Sequence, residues 1–183
     1  MLTTLKKLAR TKLDQISLPV AARAERARDA RGLPEVDAGT GAVETAALGW
    51  LCDAQDQSAT HDGGAARDFS LVTGWAASYP ETSGYIVPTL IEAGLRRNDP
   101  ALLDRARRMV DWLVSIQFPE GGFQGGMIGA EPLVPVTFNT GQILMGLAAA
   151  KRQFGEVYSE PMHRAAGWLV DTMDADGCWR RFP

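Results

Sequence analysis

The sequence predicts an all-α fold built from repeated helix hairpins, and three observations carry that prediction. A Trp-Leu segment recurs three times, each copy runs into a glycine-bearing loop, and no stretch shows the alternation of Val, Ile and Thr that half-buried strands require. The copies are Gly49-Trp50-Leu51-Cys52-Asp53-Ala54-Gln55, Asp111-Trp112-Leu113-Val114-Ser115-Ile116-Gln117 and Gly167-Trp168-Leu169-Val170-Asp171-Thr172-Met173. Gln or Met stands five residues after each Trp, and the tryptophans lie 62 and 56 residues apart. The loops that follow are Asp62-Gly63-Gly64, Glu120-Gly121-Gly122-Phe123 and Asp176-Gly177-Cys178-Trp179.

At 183 residues, 45% apolar and 22% charged, the chain suits one domain with a sizeable core. Its apolar runs are broken every few residues by charged side chains, short of the roughly 20 apolar residues of a spanning helix. No secretory signal is visible, so a cytoplasmic location is expected. Cys52 and Cys178 have no CxxC spacing, which gives buried thiols rather than a disulfide framework or zinc site.

Charge is unevenly placed. Residues 1–31 hold eight Lys or Arg against three Asp or Glu, while the whole chain carries −3. The acidic remainder argues against nucleic acid as a partner, since phosphate binding needs a concentrated basic face. In the basic part, Leu2, Leu5, Leu8, Leu13 and Ile16 recur near helical spacing among Lys6, Lys7, Arg10 and Lys12, predicting an amphipathic helix over 2–16. Its apolar face is expected to dock on the body of the protein, with weak contact to a membrane surface as the alternative. An Ala- and Arg-rich stretch, Ala21 to Arg31, precedes a break at Gly32-Leu33-Pro34. The chain thus divides into a helical arm, residues 1–36, and a repeat domain, residues 37–183.

Between the Trp-Leu helices lie second helices that also match: Thr82-Ser83-Gly84-Tyr85-Ile86 through Leu95, and Asn139-Thr140-Gly141-Gln142-Ile143 through Ala150, with their first glycines 57 apart. Asp99-Pro100 reads as a cap before a first-turn proline, and Ser159-Glu160-Pro161 as nearly the same signal one repeat later. Each repeat is therefore helix, glycine turn, helix. Trp50, Trp112, Trp168 and Trp179 are expected to pack in the core or between repeats.

The repeat resembles that of the terpenoid cyclase and protein prenyltransferase superfamily, whose aromatic-Leu-x3-Gln, glycine, aromatic signature is often called the QW motif. Arg164-Ala165-Ala166-Gly167-Trp168-Leu169 through Gly177-Cys178-Trp179 follows it with Met173 in the Gln place. Gln117-Phe118-Pro119-Glu120-Gly121-Gly122-Phe123-Gln124-Gly125-Gly126, then Phe138-Asn139-Thr140-Gly141, is similar to prenyltransferase β subunits. The resemblance covers about residues 40–183 and implies an α/α toroid. In it, the Gln amide would bond free backbone at a helix end while the Trp stacks on the next repeat.

The resemblance also implies where a ligand would sit, at the mouth of a central cavity where the inner helices begin. Glu81, Tyr85, Asn139 and Gln142, with Gln124 in the preceding loop, offer a carboxylate, a phenol and amides for a small-molecule or glycan ligand. Helix capping is the competing reading for Asn139 and Thr82. Asp62, Glu81 and Glu120 are the carboxylates placed for glycoside chemistry, which needs two acids across a cavity; ordinary surface-loop acids are the alternative.

The superfamily's own catalytic groups find little match. Where prenyltransferases carry a zinc-binding His, this chain has Asn139, and neither His61 nor His163 has a ligand partner at metal spacing. No metal and no cofactor are expected. The nearest text to a cyclase Asp-x-Asp-Asp acid is Asp174-Ala175-Asp176-Gly177, and only 14 of 183 residues are aromatic. Three functions stay open: a carbohydrate-active enzyme of surface-polysaccharide metabolism, an isoprenoid enzyme, and a non-catalytic binding or scaffold module. Three hairpins fall short of the five to seven of the family's rings, so either the sequence is part of a longer protein, the preferred reading, or two chains join as a homodimer. The stripe Met162, Ala165, Ala166, Leu169 and Met173 on the last helix is then expected to lack part of its cover.

Overall fold

A computed structural model describes residues 18–32 and 35–182; the expected helix over 2–16 and the Leu33-Pro34 break lie outside them. In chain order the described elements are α1 (Val20–Asp29), α2 (Thr40–Asp56), a ribbon of β1 (Phe69–Ser70) and β2 (Gly74–Trp75), α3 (Pro80–Arg97), α4 (Pro100–Ser115), α5 (Thr137–Phe154), a 3-10 turn (Glu156–Tyr158) and α6 (Ser159–Thr172). Helix dominates, as the all-α reading requires. None of the described helices is long and apolar enough to cross a membrane.

The inner helices α3 and α5 pack on each other, α4 lies against both, and α6 lies against α5. Val87 and Leu90 of α3, Met109 and Leu113 of α4, and Ile143 and Leu147 of α5 meet in the core with no exposed surface. Each contributes roughly 1.5–3 kcal/mol through burial. The stripe on α6 is covered from this side, with Ala165 fully buried and Met162 packed against the core. Helix α2 is tied on by ion pairs, Glu44 with Arg96 and Arg97, and Asp56 with Arg105 at 2.6 Å. The inner helices come closest where two glycines meet. A Cβ on Gly84 would stand 2.7 Å from the Ile143 Cα, and one on Gly146 would fall on the Gly84 carbonyl.

Helix ends follow local chemistry. Asp99 caps α4 by accepting from the Ala101 amide at 2.9 Å, and Pro100 sits in the first turn, where its missing N–H costs nothing. Ser159 does not cap α6. The 3-10 turn runs directly into the helix and gives Ser159 helical angles (φ −66°, ψ −47°), so the chain before Pro161 is already wound.

The two glycine corners between hairpins are alike. The Gln55 amide donates to the carbonyls of Gly63 (2.9 Å) and Arg105 (3.1 Å), and the Gln117 amide to those of Gly121 (2.9 Å) and Pro161 (3.0 Å). Each Gln therefore stitches its own loop to the next outer helix, satisfying the Gly63 or Gly121 carbonyl that the turn leaves free and adding a bond to a carbonyl of that helix. The glycines let an indole lie on bare backbone: a Cβ on Gly64 would be 2.5 Å from the Trp112 ring, and one on Gly122 would be 2.9 Å from the Trp168 ring.

Trp112 and Trp168 are accordingly buried, at 6% and 5% exposure, but Trp50 is 53% and Trp179 37% exposed. Trp50 has no preceding corner among the described residues. It stacks instead on Trp75 and Phe69, with ring centroids 4.7 and 5.9 Å away. These two rings face each other across the β-ribbon, a two-stranded departure from the helical pattern. Ser70 Oγ accepts from the amides of Val72 and Thr73, and Gly74 takes φ +81° to close the turn. Two-residue strands are too short to leave an alternating pattern in the sequence.

Candidate functional site

Helices α3 and α5 follow the two long loops, residues 57–79 and 116–136, and both loops dock on the helix starts with the same bonds. Ser83 Oγ accepts from the Ala65 amide and donates to the Tyr79 carbonyl, both at 2.9 Å. Thr140 Oγ1 accepts from the Phe123 amide at 3.0 Å and donates to the Val136 carbonyl at 2.9 Å. The Tyr79 and Val136 amides close the pattern on the carbonyls of Ala65 and Phe123, each at 2.9 Å. Both hydroxyls are fully buried, so the loop-to-helix joint is rigid.

Around this joint the structure gathers Glu81 and Tyr85 of α3 with Asn139 of α5, and adds Tyr79. Burial pushes the Tyr79 hydroxyl above its ordinary range; the neighbouring Glu81 carboxylate adds to the rise, and the Asn139 amide opposes it. The Tyr85 phenol is raised mainly by burial and then by the charge of Glu81. A carboxylate, two phenols and an amide from two helices thus share one locality. Glu81 is half-buried and Tyr85 is exposed, so this locality is reachable from solvent.

Asn139 and Thr82 do not act as caps. Both lie inside their helices; the buried Asn139 amide donates to the Gln124 carbonyl at 3.0 Å, and Thr82 Oγ1 donates to the Tyr79 carbonyl at 3.1 Å. Gln124 is itself buried, its amide donating to the Met127 carbonyl at 3.0 Å, so it shapes the loop that holds Asn139. Gln142 is half-buried on α5, just beyond Asn139.

Of the other two carboxylates, Asp62 is bonded into its loop and Glu120 is exposed. Asp62 Oδ1 accepts from the Gly64 amide (3.1 Å) and from Ser78 Oγ (2.6 Å), and the buried Ser58 and Ser78 hydroxyls approach to 2.6 Å beside Thr60. Its oxygen is spent on holding the first corner. Glu120 is exposed at the tip of the second corner, beside Gly121. Asp174 and Asp176 are engaged by Arg180, at 3.0 and 2.6 Å, and hydrogen bonding from Arg180 lowers the Asp176 carboxyl below its usual range. A carboxyl held ionised is a poor proton donor, which removes Asp176 from the role of a cyclase acid.

Tyr79 is the member that sequence reading misses. The available signal is its place immediately before Pro80: a proline opening an inner helix holds the preceding residue in extended backbone, here φ −123°, at the helix mouth.

Architecture and site together define a set of helix hairpins of the α/α-toroid type. No known family model matches the sequence. The chain is 30% identical over 112 residues to the "Probable squalene--hopene cyclase" of Sinorhizobium fredii, covering 57% of this chain and 16% of the cyclase. Among solved structures it is similar to "a possible member of GH105 family" from Salmonella enterica serovar Paratyphi A. That likeness has a TM-score of 0.57 at 15% identity, covering 78% of this chain and 40% of the other. The chain therefore spans well under half the length of either relative. At these values the solved structure speaks for the fold alone, an all-helical toroid-like one.

Proposed function

We propose that this is a carbohydrate-active protein of surface-polysaccharide metabolism, which takes a hydroxyl-rich ligand at the N-terminal ends of its inner helices. The observation that supports it is the group of Glu81, Tyr79, Tyr85 and Asn139 drawn together from two helices. Sugar hydroxyls both donate and accept. Glu81 accepts from one, the phenols can do either, and the arrangement orients a ring without needing a formal charge on the ligand. Glu81 is also the carboxylate in position to exchange a proton with such a ligand.

Calorimetric titration with neutral and uronate-containing oligosaccharides, run beside a prenyl diphosphate, tests this reading. Oligosaccharide binding is expected, weakened about tenfold by Glu81→Gln, the loss of one hydrogen bond to a charged group. A second reading, an isoprenoid enzyme, is favoured by the cyclase likeness and by the exposed apolar side chains of Phe138 and Met145 on α5. Binding of the prenyl diphosphate alone, indifferent to Glu81→Gln, would replace the first reading with the second.

A further inference from the structure

The two long loops are built on one plan, and the first carries an addition that the second does without. Both corners place a carboxylate before a Gly-Gly pair, Asp62 in one and Glu120 in the other. Both loops return to their inner helix through an isolated bridge, Ala66 with Ser78 and Gln124 with Pro135, so Ser78 and Pro135 are equivalent positions. Six residues, 56–61, separate Gln55 from Asp62, whereas two, Phe118 and Pro119, separate Gln117 from Glu120. The longer segment supplies Ser58 and Thr60.

These hydroxyls close on Ser78. Its Oγ donates its one proton to Asp62 Oδ1 at 2.6 Å, and therefore accepts from Ser58 Oγ at 2.6 Å and from Thr60 Oγ1 at 3.0 Å. The Ser78 amide donates to Thr60 Oγ1 at 3.1 Å, and the Ser78 carbonyl accepts from the Ile128 amide of the second loop at 3.0 Å. Every polar group of Ser78 is thus engaged, and neither Ser58 nor Ser78 has exposed surface. At the second loop Pro135 brings neither a hydroxyl nor an amide proton, Glu120 is exposed, and the corner folds all the same. Holding a loop to its helix therefore needs the Ser83 or Thr140 joint, which both loops have, and not this network. A buried polar network that is fully satisfied specifies one arrangement of the groups around it.

What it arranges is the next residue. Tyr79 follows Ser78 directly, and its hydroxyl shares the locality of Glu81 and Asn139. From Ile128 the bonds run on to that amide: the carbonyl of Met127 accepts from Gln124 Nε2, and the carbonyl of Gln124 from Asn139 Nδ2, each at 3.0 Å. In the second repeat Val136 stands where Tyr79 does and Phe138 where Glu81 does. The added network lies beside the polar helix start, and the apolar one is built without it.

We propose that Asp62 and Ser78 are positioning residues of the ligand site, which set the Tyr79 hydroxyl against Asn139 and Glu81 without touching the ligand. This assignment rests on the site proposed above and extends it to the two residues that hold Tyr79 in place.

Nuclear magnetic resonance of protein labelled at tyrosine Cζ tests the positioning with no ligand present. The chain has three tyrosines, and Tyr79→Phe assigns the signal. In wild type the Tyr79 hydroxyl ionises above its ordinary range, raised by burial and by Glu81 against the opposing Asn139 and Arg67. Asp62→Ala and Ser78→Ala are expected to bring its midpoint down toward the ordinary value, because the side chain is freed to reach solvent. Asp62→Asn is expected to keep the wild-type midpoint, since both bonds fall on Oδ1 and an amide oxygen can accept them. Val110→Ala truncates a buried side chain of α4 outside the network, and is expected to lower stability without moving the midpoint. A midpoint unchanged in both alanine variants, or one that moves as far in Asp62→Asn or in Val110→Ala, would overturn the proposal. Ser78→Ala, which removes one hydroxyl and no charge, carries the test should Asp62→Ala not fold. Calorimetric titration with a neutral oligosaccharide is expected to show binding about tenfold weaker in Asp62→Ala, as for one lost hydrogen bond, and unchanged in Asp62→Asn. Equal affinity of wild type and Asp62→Ala would count against the proposal in the same way. A wild type that binds no oligosaccharide would remove the ligand reading, while the Tyr79 midpoints still decide the positioning.

Discussion

The starts of the two inner helices invite direct comparison, because they are the same structure carrying different chemistry. Ser83 and Thr140 are buried hydroxyls that make matching bonds one repeat apart. Two residues before each of them the repeat diverges, to Glu81 in α3 and Phe138 in α5, and two residues after, to Tyr85 and Gln142. What repeats is turned inward and holds the loop to the helix; what diverges is half-buried or exposed at the mouth. The repeat is thus a scaffold, and the chemistry has been written onto the positions that the scaffold leaves free.

The largest effect that could break this comparison concerns the close approach of α3 and α5. Gly146→Val forces a side chain onto the Gly84 carbonyl and is expected to cost about 3 kcal/mol in urea unfolding. Gly141 is the sequence counterpart of Gly84, yet a Cβ there meets nothing within 4 Å, so Gly141→Ala is expected to stabilise by about 0.5–1 kcal/mol. Equal penalties at Gly141 and Gly146 would mean that the helices cross elsewhere.

Next in size is the corner. Gln117→Ala strips bonds from the Gly121 and Pro161 carbonyls and from Arg164, and is expected to cost about 2 kcal/mol. The counterpart change Met173→Gln, at an exposed site, should stay within about 0.5 kcal/mol for the single chain.

The smallest effect is electrostatic. Hydrogen bonds from Arg96 and Arg97 hold the Glu44 carboxyl at about 2, below its ordinary 4.5. A folded value below the unfolded one contributes stability that is complete above about pH 4.5 and is lost as the pH falls toward 2. Glu44→Gln should flatten unfolding stability across that acid window and lower it at neutral pH by the same amount, which is small because the pair is exposed and screened.

The sequence made the scaffold legible for the reason this comparison gives. Trp112 and Trp168, Gln55 and Gln117 and the glycines of the corners recur because each junction needs the same stitch, and recurrence can be read without a structure. The site was legible only in part. Glu81, Tyr85 and Asn139 stand at inner-helix starts, and the structure draws them into one locality with Tyr79. The role of Tyr79 depends on two helices meeting, which no single segment records. Asp62 shows the converse: a carboxylate read as a ligand group in sequence, whose bonds to Gly64 and Ser78 appear only once the chain has folded. The exposure of Trp50 was hidden in the same way, since its motif matches that of its buried counterparts and what sets it apart is that no corner precedes it among the described residues.

The most direct measurement is urea unfolding of Ser83→Ala and Thr140→Val alongside Glu81→Gln and Tyr85→Phe. The first pair strands the buried Ala65 and Phe123 amides, and each variant is expected to lose about 2 kcal/mol. The second pair removes polar groups that no loop depends on, and each should fall within about 0.5 kcal/mol of wild type. Comparable losses in both pairs would contradict the separation of scaffold from site and make the Glu81 group part of what holds the hairpins together.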